Sequence, residues 1–359
     1  MALHITHETL ELAFRDPFRI ARSMDASAAH TVITHLTDDA EKDRQATREG
    51  TGEAFAEAYY GETIRTVPVV LPMLLAAVEP IAEELRSTDR TRAMAALEAA
   101  SMRMDYALGH HGGAKAGIDI ALHDLVGKRL GVPLYELLGL SSELPPTDFT
   151  IGIDEPAIVG QRAARAAHFP ALKIKLGGPQ DLETLEAVRA VFSGPIRVDA
   201  NTGWEPEAGA RLIPELVRLG VELIEQPFPA HRLDQLGWLQ ERSSLPIVAD
   251  ESAVTIDDLP ALVGVVQGVN VKLAKCGGVG PAHRMLLRAR ELGFKTFLGC
   301  MEETTVGIAA SAAVASLADW IDLDGNLLLA DDPYAGLVLG PDSRWQLSSE
   351  PGLGVHRRA

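Results

Sequence analysis

Cysteine is nearly absent from this chain: Cys276 and Cys300 are the only two in 359 residues, which excludes a disulfide framework. Basic runs and aromatic-basic interleaving are missing as well. With a formal charge of -17, a phosphate-backbone binder is excluded and no nucleic-acid partner is expected. The opening MALHITHETLEL has neither the basic n-region nor the apolar h-region of a secretory leader. The most apolar stretch, residues 306–317, is rich in alanine, too short to cross a membrane and typical of a packed barrel helix. These lacks leave a globular protein, with a reducing cytoplasm and no membrane partner as the expectation.

What is present is ample core material: 47% hydrophobic and 23% charged residues suit one large domain with an addition, or two domains. Residues 1 to about 60 alternate between apolar and polar, as antiparallel strands do, and helical periods follow from Val67 to about Gly109 and from Gly113 to Arg129. Sheet first and helices afterwards predicts an α+β cap. From Thr147 the pattern changes. TDFTI, ALKIKL, IRVDA, VELIEQ, PIVADE, NVKLAK, KTFLGC and WIDLDG are eight short strand candidates separated by helical segments such as LETLEAVRAVF. That alternation predicts an α/β barrel of the (β/α)8 type, or a variant missing one helix. The expected division is a cap over residues 1–125, a barrel over 126–325 and a segment 326–359 returning to the cap.

Charges punctuate the barrel strands in the order Lys175, Asp199, Glu225, Asp250, Lys272, with gaps of 24, 26, 25 and 22 residues by subtraction. One strand-loop-helix-loop unit fills each gap, so the charges converge at the strand C-termini, where barrel active sites form. Asp199, Glu225 and Asp250 offer oxygen ligands from three consecutive strands, a set suited to Mg2+, which leaves coordination positions for substrate oxygens. Lys173 and Lys175 are two apart and share a strand face, and adjacent ammonium groups lower each other's pKa. Lys175 then serves as a base and Lys173 as its electrostatic helper. In NVKLAKCGG the same parity turns Asn270 and Lys272 inward, while Lys275 falls past the strand end as a solvated loop lysine.

Strands two and six lie across an eight-stranded ring, so Lys175 and Lys272 face opposite sides of a carboxylate's α-carbon held at the metal. One lysine removes the α-proton, the metal stabilises the enediolate, and the other lysine returns a proton to the opposite face. The outcome is 1,1-proton transfer, a racemisation or epimerisation.

These segments, with AKAGIDIALHDLVGKRLGVPLYELLG ahead of the barrel, KIK at 173–175, DANTGW at 199–204, IEQP at 224–227 and ADES at 249–252, resemble the enolase superfamily in its muconate-lactonizing subgroup. The resemblance covers nearly the whole chain. It implies a (β/α)7β modified TIM barrel, an α+β capping domain built from the N-terminal region and the C-terminal tail, and the lysine bases with magnesium known in that superfamily. FTIGID at 149–154 and DLDG at 322–325 narrow the resemblance to the dipeptide epimerases of the L-Ala-D/L-Glu type. Asp322 and Asp324, two residues apart, can both pair with the free ammonium of a dipeptide whose C-terminal carboxylate sits on the metal. A succinylated amino acid would instead bring a carboxylate toward two aspartates.

Thr150, Cys300, Met301 and Asn201 are carried over as contacts in the same pocket, and Arg22, in the loop PFRIARSMD, reaches over the barrel. There Arg22 either binds an acidic side chain of the substrate's C-terminal residue or stays solvated. The resemblance also implies that the chain assembles as a homo-oligomer. Competing readings are a cycloisomerase, dehydratase or N-acylamino acid racemase on the same scaffold, a Schiff-base aldolase on a (β/α)8 barrel, and a non-catalytic small-molecule binder.

Overall fold

The computed structural model describes residues 2–22, 26–41 and 48–358. Three of the residues in the loop PFRIARSMD, Ser23, Met24 and Asp25, lie outside the described residues. The first 60 residues form a three-stranded antiparallel sheet of β1 (Leu3–Phe18), β2 (Ala26–Asp38) and β3 (Glu49–Phe55), in the order β1-β2-β3. Three main helices follow: α1 (Val67–Val78), α2 (Arg90–Ala107) and α3 (Gly112–Leu130).

Helix α3 is the spine of the molecule, with every residue from Gly113 to Gly127 buried. It packs so closely on the cap sheet that glycine is required on the strand side: a Cβ at Gly52 would stand 2.1 Å from the Gly117 carbonyl oxygen. That same carbonyl accepts a 2.6 Å hydrogen bond from the Thr34 hydroxyl. At its N-terminus the free N–H groups of Gly113 and Ala114 donate to the buried Glu62 carboxylate, each at 2.8 Å. Gly131 ends the helix in the left-handed conformation, φ 71°. Residue 125, the expected division between cap and barrel, lies within this helix.

Eight parallel strands follow, β4 (Phe149–Ile151), β5 (Leu172–Lys175), β6 (Ile196–Asp199), β7 (Val221–Glu225), β8 (Ile247–Ala249), β9 (Gly268–Val271), β10 (Lys295–Gly299) and β11 (Trp320–Asp322). They pair in sequence order, and a bridge between Thr147 and Ile321 joins the two ends. Seven helical connections separate the eight strands, which makes the (β/α)7β barrel of the sequence reading. The strand segments are short and buried on both faces because helices cover the outside and side chains fill the inside. Among the described residues no helix is long and apolar enough to cross a membrane.

Cap and barrel are joined through polar contacts as well as apolar packing. The fully buried Glu53 of β3 accepts hydrogen bonds from the Thr304 N–H at 3.0 Å, the Thr304 hydroxyl at 2.6 Å and the Gly307 N–H at 2.9 Å. A cap carboxylate thus satisfies the start of the barrel helix Thr305–Ala312. The C-terminal segment runs back over the cap, where the Leu353 N–H donates to Asp124 of α3 at 2.8 Å and Arg357 pairs with Glu8 of β1 at 2.8 Å.

The contact at Gly52 gives a direct check on this packing. Gly52→Ala is expected to destabilise the protein by about 1–3 kcal/mol, because backbone rather than a flexible side chain blocks the added methyl. Urea denaturation of wild type and variant measures it; an unchanged midpoint would mean that strand and helix separate at little cost.

Candidate active site

Strand alternation and register build the site. Lys173 pairs with Arg197 across β5 and β6, and one pleat further Lys175 pairs with Asp199, which in turn stands opposite Glu225 of β7. Every second residue of these strands faces the barrel axis, so the first row places Lys173, Arg197 and Leu223 inside and the second places Lys175, Asp199 and Glu225 above it. Asp250 follows β8 by one residue and Lys272 follows β9 by one, completing the upper ring. Phe297 fills the barrel beneath, with the Lys173 ammonium and the Arg197 guanidinium each 5.4 Å from its ring centre. Gly299 leaves room for one of the lysines: a Cβ there would stand 3.0 Å from Lys272 Cε and 2.8 Å from Asn270.

Burial forces these charges to pair. Lys173 Nζ lies 2.8 Å from Glu225 Oε2, 2.8 Å from Asp322 Oδ2 and 3.3 Å from Asp199 Oδ2. Lys175 bonds Asp199 at 2.7 Å, Lys272 bonds Asp250 at 2.9 Å, and the Asn270 amide donates to Glu225 at 2.8 Å. Lys275 is not solvated. It is buried and donates to Asp250 and to the carbonyls of Asp250, Ala253 and Asn270, because the short helix Leu273–Cys276 turns it back under the strand end.

The electrostatics also depart from the expectation of mutually lowered lysines. Burial acts to lower the Lys173 pKa, but Asp322, Glu225, Asp199 and Asp148 outweigh it and hold the ammonium well above the usual lysine range. Lys272 is raised as well, since Asp250 overcomes the effect of its burial. Carboxylates outnumber neighbouring lysines around each ammonium, which is why the lysine-lysine repulsion loses. Burial and the charge of Asp199 push Glu225 up to about 7, against the pull of Lys173. Asp250 goes the other way, because Lys272 and Lys275 overcome the cost of burying it.

Above the ring, a cavity is lined by Lys175, Lys272, Asn201, Cys300, Met301 and Thr150, and by Asp322 and Asp324 on the β11 side. Thr150 ties those two aspartates down, its hydroxyl bonding Asp322 at 2.9 Å and its N–H donating to Asp324. Burial and the neighbouring charge of Asp322 raise the Asp324 carboxyl well above its usual range. Arg22 reaches across the cavity mouth but is occupied: its guanidinium pairs with the buried Glu251 and stacks on the Tyr59 ring, 4.1 Å from the centre.

Several polar residues of the site escaped the sequence reading. Asp148 shares the parity of Thr150 at the start of its strand, so counting two residues back would have found it, whereas Glu302 lies past the end of β10, where strand parity no longer applies. Glu57 and Glu251 carried no such signal, because one enters from the cap and the other meets Arg22 only through the tertiary fold.

Comparison with known proteins agrees with this construction. Residues 159–358 match the enolase C-terminal domain-like family and residues 15–139 match the N-terminal domain of the mandelate racemase / muconate lactonizing enzyme family. The chain belongs to that family. The L-Ala-D/L-Glu epimerase of Bacteroides thetaiotaomicron is 39% identical over 309 residues, covering 85% of this chain and 77% of that one. A crystal structure of a dipeptide epimerase from Enterococcus faecalis, complexed with Mg and L-Leu-L-Tyr, superposes with a TM-score of 0.86 at 29% identity over 99% of each chain. The N-succinyl Arg/Lys racemase of Bacillus cereus reaches a TM-score of 0.88 at 26% identity, over 100% of this chain and 96% of that one. Family and relatives together make this an enzyme of the racemase and epimerase type.

Lys275 supplies the test of the ring's energetics. Lys275→Met is expected to cost about 3–5 kcal/mol of stability, since it strands part of a buried Asp250 charge and three carbonyls at once. Thermal denaturation of the variant reads the loss, and a melting temperature equal to wild type would show that the contact contributes little.

Proposed function

We propose that this protein is a dipeptide epimerase that inverts the α-carbon of the C-terminal residue by two-base proton transfer. The observation that carries the reading is the opposition of Lys175 and Lys272 across a ring of three buried carboxylates, with Asp322 and Asp324 at its side. Lys175 and Lys272 take and return the α-proton on opposite faces. Lys173, tied to Glu225, Asp199 and Asp322, fixes positive charge beneath the substrate carboxylate. Asp322 and Asp324 receive the dipeptide's ammonium, which restores the charge that burial suppresses on Asp324. Thr150 holds both aspartates in place and Asn201, Cys300 and Met301 wall the pocket.

The donor set fits a magnesium ion. Asp199, Glu225 and Asp250 are oxygen-only, buried and adjacent, and the buried Asn201 Oδ1 atom lacks a hydrogen-bond partner. Among the described residues no three such side chains stand ready-made around a metal position, because lysines draw their oxygens aside. Those ion pairs are the contacts for which the cation competes. Magnesium bound by the three carboxylates supplies the charge that acidifies the C–H bond next to a carboxylate.

The racemase of Bacillus cereus favours a second reading, N-acylamino acid racemisation on the same scaffold. Asp322 and Asp324 weigh against it, since a succinyl carboxylate would face two acids.

Incubation of a dipeptide library and of N-succinylamino acids in deuterium oxide with magnesium separates the two. Mass gain is expected in dipeptides; gain only in the N-succinyl series would replace the assignment. Lys175→Ala and Lys272→Ala should each abolish epimerisation while retaining α-deuterium exchange with one epimer, and normal epimerisation by either variant would sink the two-base mechanism.

The raised pKa of Glu225 adds a pH dependence. A carboxyl whose folded pKa is raised to about 7 disfavours folding once ionised, so the metal-free protein loses stability as pH climbs from the ordinary carboxylate range through 7. Magnesium favours the ionised form, so its stabilisation should be larger at about pH 8 than at about pH 5.5. Melting temperatures with EDTA and with magnesium at both pH values measure the difference, and equal metal shifts would contradict it.

A further inference from the structure

The cavity's charges are accounted for with two exceptions. Lys173, Lys175 and Lys272 are each paired with ring carboxylates, Asp322 and Asp324 are tied to Lys173 and Thr150, and Arg22 is paired with Glu251. What remains is Glu302, just past the end of β10, and Glu57, in the loop after β3 of the cap. Glu302 makes no ion pair and no hydrogen bond to another residue among the described residues. Glu57 uses one oxygen to accept the Tyr59 N–H at 2.9 Å and leaves the other unbonded, and it too has no ion pair. Both line the cavity, and the charge of Glu57 acts on Glu302.

Placement gives these two acids a role. Glu302 lines the same cavity as Lys175 and Lys272, the two bases between which the α-carbon must sit. The substrate carboxylate points down to the ring and the ammonium-bearing residue points to Asp322 and Asp324. The side chain of the inverted residue is then left to point upward, toward the cap. In that direction it meets Glu302 and Glu57. Arg22, the arginine among the described residues that line this cavity, is neutralised by Glu251 and stacked on Tyr59.

We infer that Glu302 and Glu57 form the specificity pocket for the epimerised residue and that they select a cationic side chain, lysine or arginine in chemical class. This rests on the dipeptide-epimerase reading and deepens it. Two carboxylates without a counter-ion among the described residues favour an ammonium or guanidinium that completes them, while a neutral chain leaves them unpaired and an acidic one is repelled. Glu302 is the main determinant, because Glu57 already serves as a cap for Tyr59.

The test measures kcat/KM for epimerisation of L-Ala-L-Lys, L-Ala-L-Arg, L-Ala-L-norleucine and L-Ala-L-Glu by the magnesium-loaded full chain. For the wild-type protein the two cationic dipeptides are expected at least about tenfold above the norleucine and glutamate ones. Glu302→Gln should lower the ratio of lysine to norleucine dipeptide by about tenfold, and Glu57→Gln by less. Reading a ratio within one variant separates lost recognition from a general loss of activity, and the wild-type ranking is independent of any variant. Norleucine or glutamate dipeptides ranked first by wild type, or an unchanged ratio in Glu302→Gln, overturn this inference and leave the epimerase reading standing. Turnover of none of the four, with no α-deuterium exchange in the wider dipeptide library, overturns both.

Discussion

A charge in the middle of a barrel has to find its counter-charge there, and this requirement organises the whole upper half of the molecule. Lys173 shows how strict it is: fully enclosed, it touches carboxylates from three different strands and rests over the face of Phe297. Pairing at this depth contributes less to stability than its short distances suggest, because desolvation consumes much of the attraction. Its main effect is geometric. Each ammonium is held by acids on other strands, so the direction of these side chains is set before any ligand arrives.

The same pairing keeps the ring from being purely structural. A hydrophobic barrel interior of equal volume would satisfy the packing demands at least as well. Glu225, raised to about 7, and Asp324, raised further by burial and Asp322, show that the described residues leave negative charge undersupplied with cations. An interior in that condition favours a divalent ion on one side and an organic cation on the other. Acid density, strand register and the proposed chemistry are three aspects of one arrangement.

The ring strands were legible because β structure converts sequence spacing into direction. A period of two decides which side of the strand a residue faces, so Lys173 with Lys175, and Asn270 with Lys272, could be placed inside from their spacing alone. Lys275 defeated that reasoning, since the short helix Leu273–Cys276 interrupts the strand period and returns the side chain to Asp250. The Lys173 ammonium was misread for a different reason: its neighbour in sequence is a cation, whereas its nearest neighbours in space are acids from elsewhere. Glu57 and the Arg22–Glu251 pair lie furthest from what a single strand can reveal, because the cap and the barrel each supply half of the arrangement.

Glu53 carries the last point. Its carboxylate sits in the cap sheet, yet the backbone it satisfies belongs to a barrel helix more than 200 residues later, reached through Thr304 and Gly307. Neither piece is complete without the other. The two regions are therefore poor candidates for modular exchange: a cap transplanted from a relative would have to bring an acid at the place of Glu53 to a barrel offering the matching threonine. Recombination at this seam is a question of chemical compatibility as much as of shape.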